Sequence, residues 1–583
     1  MTGEQNKWGR TPRCVLSQLH IKQAIQTNAY AFRISTKNFL IIFLDKELDV
    51  MTHSASPLRP GSEPSLAPPL GNLRFAAPTT PVYNSTVQKA DKHGFLCLAN
   101  QKGPGLQYGS ARQPMDEDCL FVDVWAPTNA TTTSNLPVMV FIQGGGWNSN
   151  SNGNFNGSML VENSGLNMMV VTLNYRVGLL GALAGKEVVE GGSLNNGLKD
   201  VIYVLQWIQD RADLFGGDIH RVVLSGDSVG AMIITYLMAA YNGTGLPGYF
   251  HGAAAESSSF SGDAQVVDLQ PHYNDLVKAT GCGTSNSTLS CLRSLNVTEL
   301  QTKSPVYGWS PVIDNDILVA PLYELYEQKR FRQVPVIYGS TTDEGTKNVD
   351  KTVTTATLDA TIRKNLGNIT DTQLNELKTI YPASLNNVTF SGAVLNASYP
   401  NAGNEWHRLA AMMGDLSSRC INDFQSDMHD AAGNTANWHY HYDVLDPRDE
   451  ATGDRVYHVV ELNAIWGPNN TDGSPPPYYR VSNDNGGNAG IIPIMQNYWI
   501  SFVRTLDPNK LRLAGTAEWT PWTMKTRQRL LFHRNGTAME SMTDAEKARC
   551  KLVIQYSKAR NAFAQPLKTL PPFANGTLPD PYQ

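Results

Sequence analysis

An α/β fold with a large, mostly parallel sheet is predicted by three features of the 583-residue sequence. Short runs of buried-strand character recur along the chain, amphipathic helical patterns fall between them, and glycines break the strands at their C-terminal ends. Strands that alternate with helices pair in parallel, because each helix carries the chain back across the sheet.

The elements follow in order. "LPVMVFIQGGGW" is a buried run from Val138 to Ile142 that breaks at three glycines, and "MMVVTLNYRVG" is another from Met168 to Leu173. "LKDVIYVLQWIQDRADLFGGD" spaces Val201, Val204, Leu205 and Ile208 as one helix face and stops at Gly216-Gly217. "HRVVLSGDS" is a strand over Val222 to Leu224, and "AMIITYLMAA" is a helix pattern directly after it. "VPVIYGSTTDEG" is a strand from Val334 to Tyr338 with a polar loop behind it, and "WHYHYDV" reads as a further strand. No internal repeat is visible.

Composition narrows the function classes. The net charge of −5 without basic runs argues against nucleic acid or an anionic membrane as partner. The longest purely aliphatic or aromatic runs, such as Phe39 to Leu44, are far short of the ~18 residues that a membrane span needs. The seven cysteines, at 14, 97, 119, 282, 291, 420 and 550, include no C-x-x-C pair, so zinc and thioredoxin-like chemistry are not indicated. Cys282 and Cys291 look like the ends of a small bridged loop. Twelve N-x-[ST] sequons hint at secretion and admit N-glycans, whereas "MTGEQNKWGRTPRCVLSQLH" lacks the apolar stretch and cleavage site of a secretory signal.

The chemistry concentrates at Gly226-Asp227-Ser228-Val229-Gly230. A serine hydroxyl is a poor nucleophile until its oxygen is exposed and a base lies in hydrogen-bond reach. A sharp strand–serine–helix turn flanked by small residues supplies the exposure, and the helix N-terminus favours developing negative charge. Upstream, Gln143-Gly144-Gly145-Gly146-Trp147 follows a buried strand. It is either a surface turn or the second source of oxyanion donors; in that role the amides of Gly145, Gly146 and Val229 are the expected donors. The elbow fold orders its triad serine, acid, histidine along the chain. Asp343 and Glu344 both stand at a strand's C-terminal end, and either is a candidate acid or a solvated loop charge. Of the later histidines, 407, 429, 439, 441, 458 and 533, His458 sits in a loop just before a helix pattern. Trp147 and Phe260 either line an acyl or alcohol pocket or are core aromatics.

These residues resemble the type-B carboxylesterases and lipases, the α/β-hydrolase family that includes the cholinesterases, and most closely its fungal branch. The similarity rests on "APPLGNLRFAAP", "EDCLFVDVWAP", the Gly-Gly-Gly loop, "VVTLNYRVGLLGAL", "LFGGDIHRVVLSGDSVGA", "VPVIYGSTTDEG", "HVVELNAIWG", "YWISFVRTLDPN" and "EWTPW", in family order over roughly residues 68–560. It implies Ser228 as nucleophile, Glu344 rather than Asp343 as acid, and His458 as base. It implies disulfides Cys97–Cys119, Cys282–Cys291 and Cys420–Cys550, leaving Cys14 over, and a polar network of Asp227, Ser257 and Glu461 behind the triad. Residues 68–565 are then one catalytic domain, 1–67 an atypical start, poorly ordered or misassigned, and 566–583 a tail.

Four departures stand out. Gln143 replaces the family's histidine or tyrosine, Val229 its alanine, Val459 its glycine, and residues 1–67 carry no recognisable signal peptide or first hairpin. The expected activity is hydrolysis of a small-molecule or lipid ester through an acyl-enzyme, with no metal or cofactor, in an extracellular protein. A triacylglycerol lipase, a peptidase of the same fold and a non-catalytic cholinesterase-like binding protein are the alternatives; an ester panel, amide substrates and organophosphate labelling separate them.

Overall fold

The computed structural model describes residues 29–35, 70–79 and 93–561, apart from 101, 103, 106, 109–112, 150–154, 245, 261–263, 306, 368, 389–391 and 472–475. Among the described residues, its centre is a ten-stranded sheet. The strands are β1 Ala29–Ser35, β2 Phe121–Pro127, β3 Leu136–Ile142, β4 Met169–Leu173, β5 Gly217–Asp227, β6 Gly252–Glu256, β7 Val336–Thr341, β8 Asn437–Asp443, β9 Gln528–His533 and β10 Gly536–Ser541. Their order across the sheet is β1-β2-β4-β3-β5-β6-β7-β8-β9-β10. Pairing is parallel from β4 through β9. The two outer strands on one side and β10 on the other pair antiparallel.

The alternation of side chains explains the layering. Along β3, Leu136, Val138, Val140 and Ile142 enter one buried cluster, whereas Met139 and Phe141 enter another. The same split recurs in β5, with Val222 and Leu224 against Val223, and in β7, with Val336 and Tyr338 against Ile337. A strand whose two faces are both apolar must be covered on both sides. Helices α1 Asn196–Arg211 and α2 Val229–Ala239 supply the first cluster, and α4 Ile491–Thr505 the second. Helices α3 Cys420–Ala431 and α5 Asp544–Asn561 also pack on the first face. Every residue of α2 is buried, as its continuous apolar sequence requires.

β1 lies inside the segment 1–67, for which the sequence suggested no regular element; it pairs Ala29–Ser35 with Pro127–Phe121 as an edge strand. Cys97–Cys119, Cys282–Cys291 and Cys420–Cys550 are bonded, and Cys14 lies outside the described residues. Among the described residues no helix is long and apolar enough to cross a membrane.

Candidate active site

Four neighbouring parallel strands end at one place. The loop Gln143–Gly146 follows β3, Ser228 follows β5, Ser257 follows β6 and Glu344 follows β7. In open parallel sheets ligands bind beyond the carboxyl ends of the strands.

Ser228 sits between β5 and α2 at φ 52°, ψ −120°, a conformation that side chains other than glycine seldom adopt. Its neighbours explain how the turn closes. A Cβ on Gly230 would lie 1.8 Å from the Ile142 carbonyl oxygen, and one on Gly226 would lie 2.6 Å from the same atom. Both flanks must therefore be glycine for the helix to start against β3.

His458 meets both partners. Its Nε2 lies 2.9 Å from Ser228 Oγ, and its Nδ1 donates to Glu344 Oε2. Glu344 is buried, and its Oε1 accepts from Ser257 Oγ at 2.6 Å and the Thr341 amide at 2.8 Å. Burial pushes the Glu344 carboxyl up, but the His458 charge and these hydrogen bonds outweigh it and hold it below the ordinary carboxylate value. Burial pulls the His458 imidazole down, and the Glu344 charge and hydrogen bond outweigh that and raise it. Asp343, the adjacent candidate, faces elsewhere: it accepts from Arg455 Nε at 3.2 Å and from the Val456 amide at 3.2 Å. The other histidines are engaged apart from Ser228. His407 meets the Gly453 carbonyl, His429 Tyr338, His439 Ser426 and Asp423, His441 Glu540, and His533 the Asn535 amide.

The glycine loop lies against the serine. A Cβ on Gly144 would be 2.9 Å from Ser228 Cβ, and the Gly144 amide donates to Asp227 Oδ1 at 2.9 Å. Gly145 and Gly146 take φ 125° and 63°. Among the described residues, the amides of Gly145, Gly146 and Val229 donate no hydrogen bond within the protein. Gln143 points inward: its Nε2 donates to the Leu173 carbonyl at 3.1 Å, and its own carbonyl accepts from Tyr175 at 2.8 Å. Trp147 and Phe260 belong to the hydrophobic core, beside Tyr175 and Tyr236 and beside Tyr323 and Phe424 respectively.

Behind Glu344, Ser257 Oγ also lies 3.3 Å from Glu461 Oε1, which accepts from Tyr440 at 2.9 Å. Burial and the Glu344 charge push the Glu461 carboxyl up to about 8. Val459, directly after His458, is a β-branched residue at φ 58°. Two members of this neighbourhood escaped the sequence reading. Tyr440 lay within a strand whose histidines drew attention, and Glu256 closes the otherwise apolar strand "GAAAE". An acid ending a buried strand one residue before Ser257 was the available signal.

The mostly parallel sheet, sandwiched between helices and interrupted by a strained serine elbow, is the architecture of the α/β-hydrolases. Within that class the chain belongs to the carboxylesterase family, whose sequence profile matches residues 65–551. It is 28% identical to Lipase 1 of Geotrichum candidum over 82% of this chain and 88% of that protein. It is 30% identical to Secreted lipase 1 of Botryotinia fuckeliana over 69% of this chain and 70% of that protein. The crystal structure of Aspergillus niger EstA superposes with a TM-score of 0.78 at 30% identity, covering 92% of this chain and 96% of that one. The protein is a carboxylic ester hydrolase.

Proposed function

We propose that Ser228 is the nucleophile, His458 the general base and Glu344 the acid that orients it. The observation that carries this reading is the position of His458, with Nε2 2.9 Å from Ser228 Oγ and Nδ1 on Glu344. His458 takes the Ser228 proton as Oγ attacks the ester carbonyl. The amides of Gly145, Gly146 and Val229 receive the oxyanion, and two of these residues are exposed at the loop tip. His458 then passes its proton to the departing alcohol, leaving an acyl group on Ser228. Water attacks that acyl-enzyme with His458 again as base, which releases the acid and restores the serine. Asp227 supports the loop through the Gly144 amide, and Ser257 with Glu461 supports Glu344.

The substrate class is a small-molecule or lipid ester. The relatives named lipases favour an acyl chain of appreciable length as a second reading, which a panel of esters of increasing acyl length separates from short-chain preference. An extracellular location is supported by three disulfides and by a relative named as secreted. The central test is Ser228→Ala assayed on p-nitrophenyl esters. Turnover falls by roughly 10⁴–10⁶-fold if the serine is the nucleophile. Undiminished turnover in the pure variant rejects the assignment.

A further inference from the structure

Ser228 occupies a backbone conformation that persists only where its surroundings over-determine it. Much of that constraint comes from one buried residue on the neighbouring strand. Glu256 is fully buried at the end of β6, opposite Asp227 in register. Its main-chain carbonyl accepts from the Ser228 amide at 2.8 Å. Its Oε2 accepts from the Gly226 amide at 2.9 Å. Its Oε1 accepts from Ser225 Oγ at 2.9 Å and from Trp499 Nε1, on α4, at 2.8 Å. Three of these four donors belong to the strand end that delivers the nucleophile, and the fourth anchors the carboxyl to the opposite layer.

We infer that Glu256 is a positioning residue for Ser228, acting as a two-sided acceptor that holds the elbow at the geometry His458 requires. The inference rests on Ser228 being the nucleophile. Its chemical content lies in the obligate donors. The Gly226 and Trp499 N–H groups cannot reverse, and they face different oxygens of the carboxyl, so both oxygens must accept. An ionised carboxylate meets that demand. A neutral carboxylic acid meets it too, because its hydroxyl oxygen retains acceptor capacity while its proton turns to Ser225 Oγ. Burial, opposed by the Trp499 and Ser225 hydrogen bonds, pushes this carboxyl well up, and the acceptor role survives in either state. Glutamine has the same shape but offers one acceptor oxygen and one donor NH₂. In Glu256→Gln one N–H must therefore face an NH₂ group inside the protein.

The test compares E256Q, W499F, W499F/E256Q and S228A in the full chain. Misplacement of a reacting group by a fraction of an ångström to 1 Å lowers turnover by about 10–100-fold. That loss is expected in kcat of E256Q, with KM within about twofold of the parent and slower organophosphate labelling of Ser228. Removing the Trp499 donor lets the glutamine NH₂ turn to Ser225 Oγ while its oxygen accepts from Gly226. W499F/E256Q is therefore expected to lose less relative to W499F than E256Q loses relative to the parent. A merely structural role predicts additive losses and no such relief. An unchanged kcat in E256Q, or an equal or greater loss in the W499F background, overturns the inference. If E256Q alone does not fold, the double variant against W499F carries the test: near-equal kcat supports the acceptor pairing and a further loss overturns it. An active S228A rejects the nucleophile itself; an inactive S228A beside an unchanged E256Q rejects only the role of Glu256.

Discussion

With His458 as the proposed base, the Glu344–His458 pair makes activity and stability depend on pH in opposite senses. His458 is a base only when neutral, and its folded pKa is raised: burial lowers it, but the neighbouring Glu344 more than reverses that effect. The acid limb of kcat/KM is therefore expected to have its midpoint above the ordinary imidazole value of about 6.5. Glu344→Gln removes the raising charge, so the midpoint is expected to move to lower pH while kcat falls by about 10³–10⁴-fold. A pH profile of both proteins measures this, and an unmoved limb counts against His458 as the titrating base. The stability signs differ. A raised histidine contributes stability that is fully present below its unfolded pKa and is lost as pH rises through the folded one. A depressed carboxyl contributes stability that is present above its unfolded pKa and is lost as pH falls through the folded one. With ordinary values of 4.5 and 6.5, both contributions are complete between those pH values. That is where His458 is protonated and, as the proposed base, inactive. At this scale the residue pattern alone left one choice open, between Asp343 and Glu344, which only the family resemblance decided. The residues are adjacent and both close a strand; what separates them is Arg455, 112 positions away, which takes Asp343. Glu256 was illegible for a similar reason, since three of its four partners lie about 30 residues away and the fourth, Trp499, 243. Val459 was visible as a departure from the family's glycine, but its left-handed backbone at φ 58° is a tertiary fact.

At the scale of elements, the elbow is the contact of α2's first turn with the end of β3. Gly230→Ala would set a Cβ 1.8 Å from the Ile142 oxygen and 2.9 Å from the Gln143 oxygen, both main-chain atoms that cannot rotate aside. The helix must then lift from the strand whose following loop carries Gly145 and Gly146. Overpacking of this kind costs about 1–3 kcal/mol, and the displacement of Ser228 from the glycine loop is expected to lower kcat by about 10²-fold or more. Gly283→Ala is the control, because the nearest atom to its Cβ is a Val277 methyl at 3.9 Å. A G230A enzyme with parental kcat would show that the helix adjusts without moving the serine. The interior strands were legible because both their faces are apolar, which leaves a continuous hydrophobic run. Val138–Ile142, Met168–Leu173 and Val222–Leu224 each fall within one residue of an observed strand or inside one. β2 was harder to see: its run "FVDVWAP" is broken by Asp123, which is itself buried and lies 3.1 Å from His93 Nδ1. β1 was invisible, since its pairing partner begins 86 residues later and an edge strand carries no local mark of being one.

On the scale of the whole molecule, the three disulfides differ in what they restrain. Cys282–Cys291 closes nine residues, Cys97–Cys119 closes 22, and Cys420–Cys550 closes 130. The last joins the start of α3 to α5, so it ties the C-terminal helix to the layer that covers β7 and β8. In the chain-entropy account a cross-link destabilises the unfolded ensemble more as its loop lengthens. The expected contribution is about 5 kcal/mol for Cys420–Cys550 against about 3 kcal/mol for Cys282–Cys291. Cys420→Ser with Cys550→Ser is therefore expected to lower the urea midpoint further than Cys282→Ser with Cys291→Ser. Neither pair touches Ser228, Glu344 or His458, so kcat of the folded enzyme is expected to stay within about twofold of the parent in both. If the short loop proves the costlier to open, loop closure in the unfolded chain is not what the long disulfide supplies. The 420–550 bond would then matter for seating α5 on the sheet. A large fall in kcat without loss of stability would mean that the packing of α3 reaches the catalytic loops, through Asn422, which donates to the Ser258 carbonyl at 3.0 Å next to Ser257.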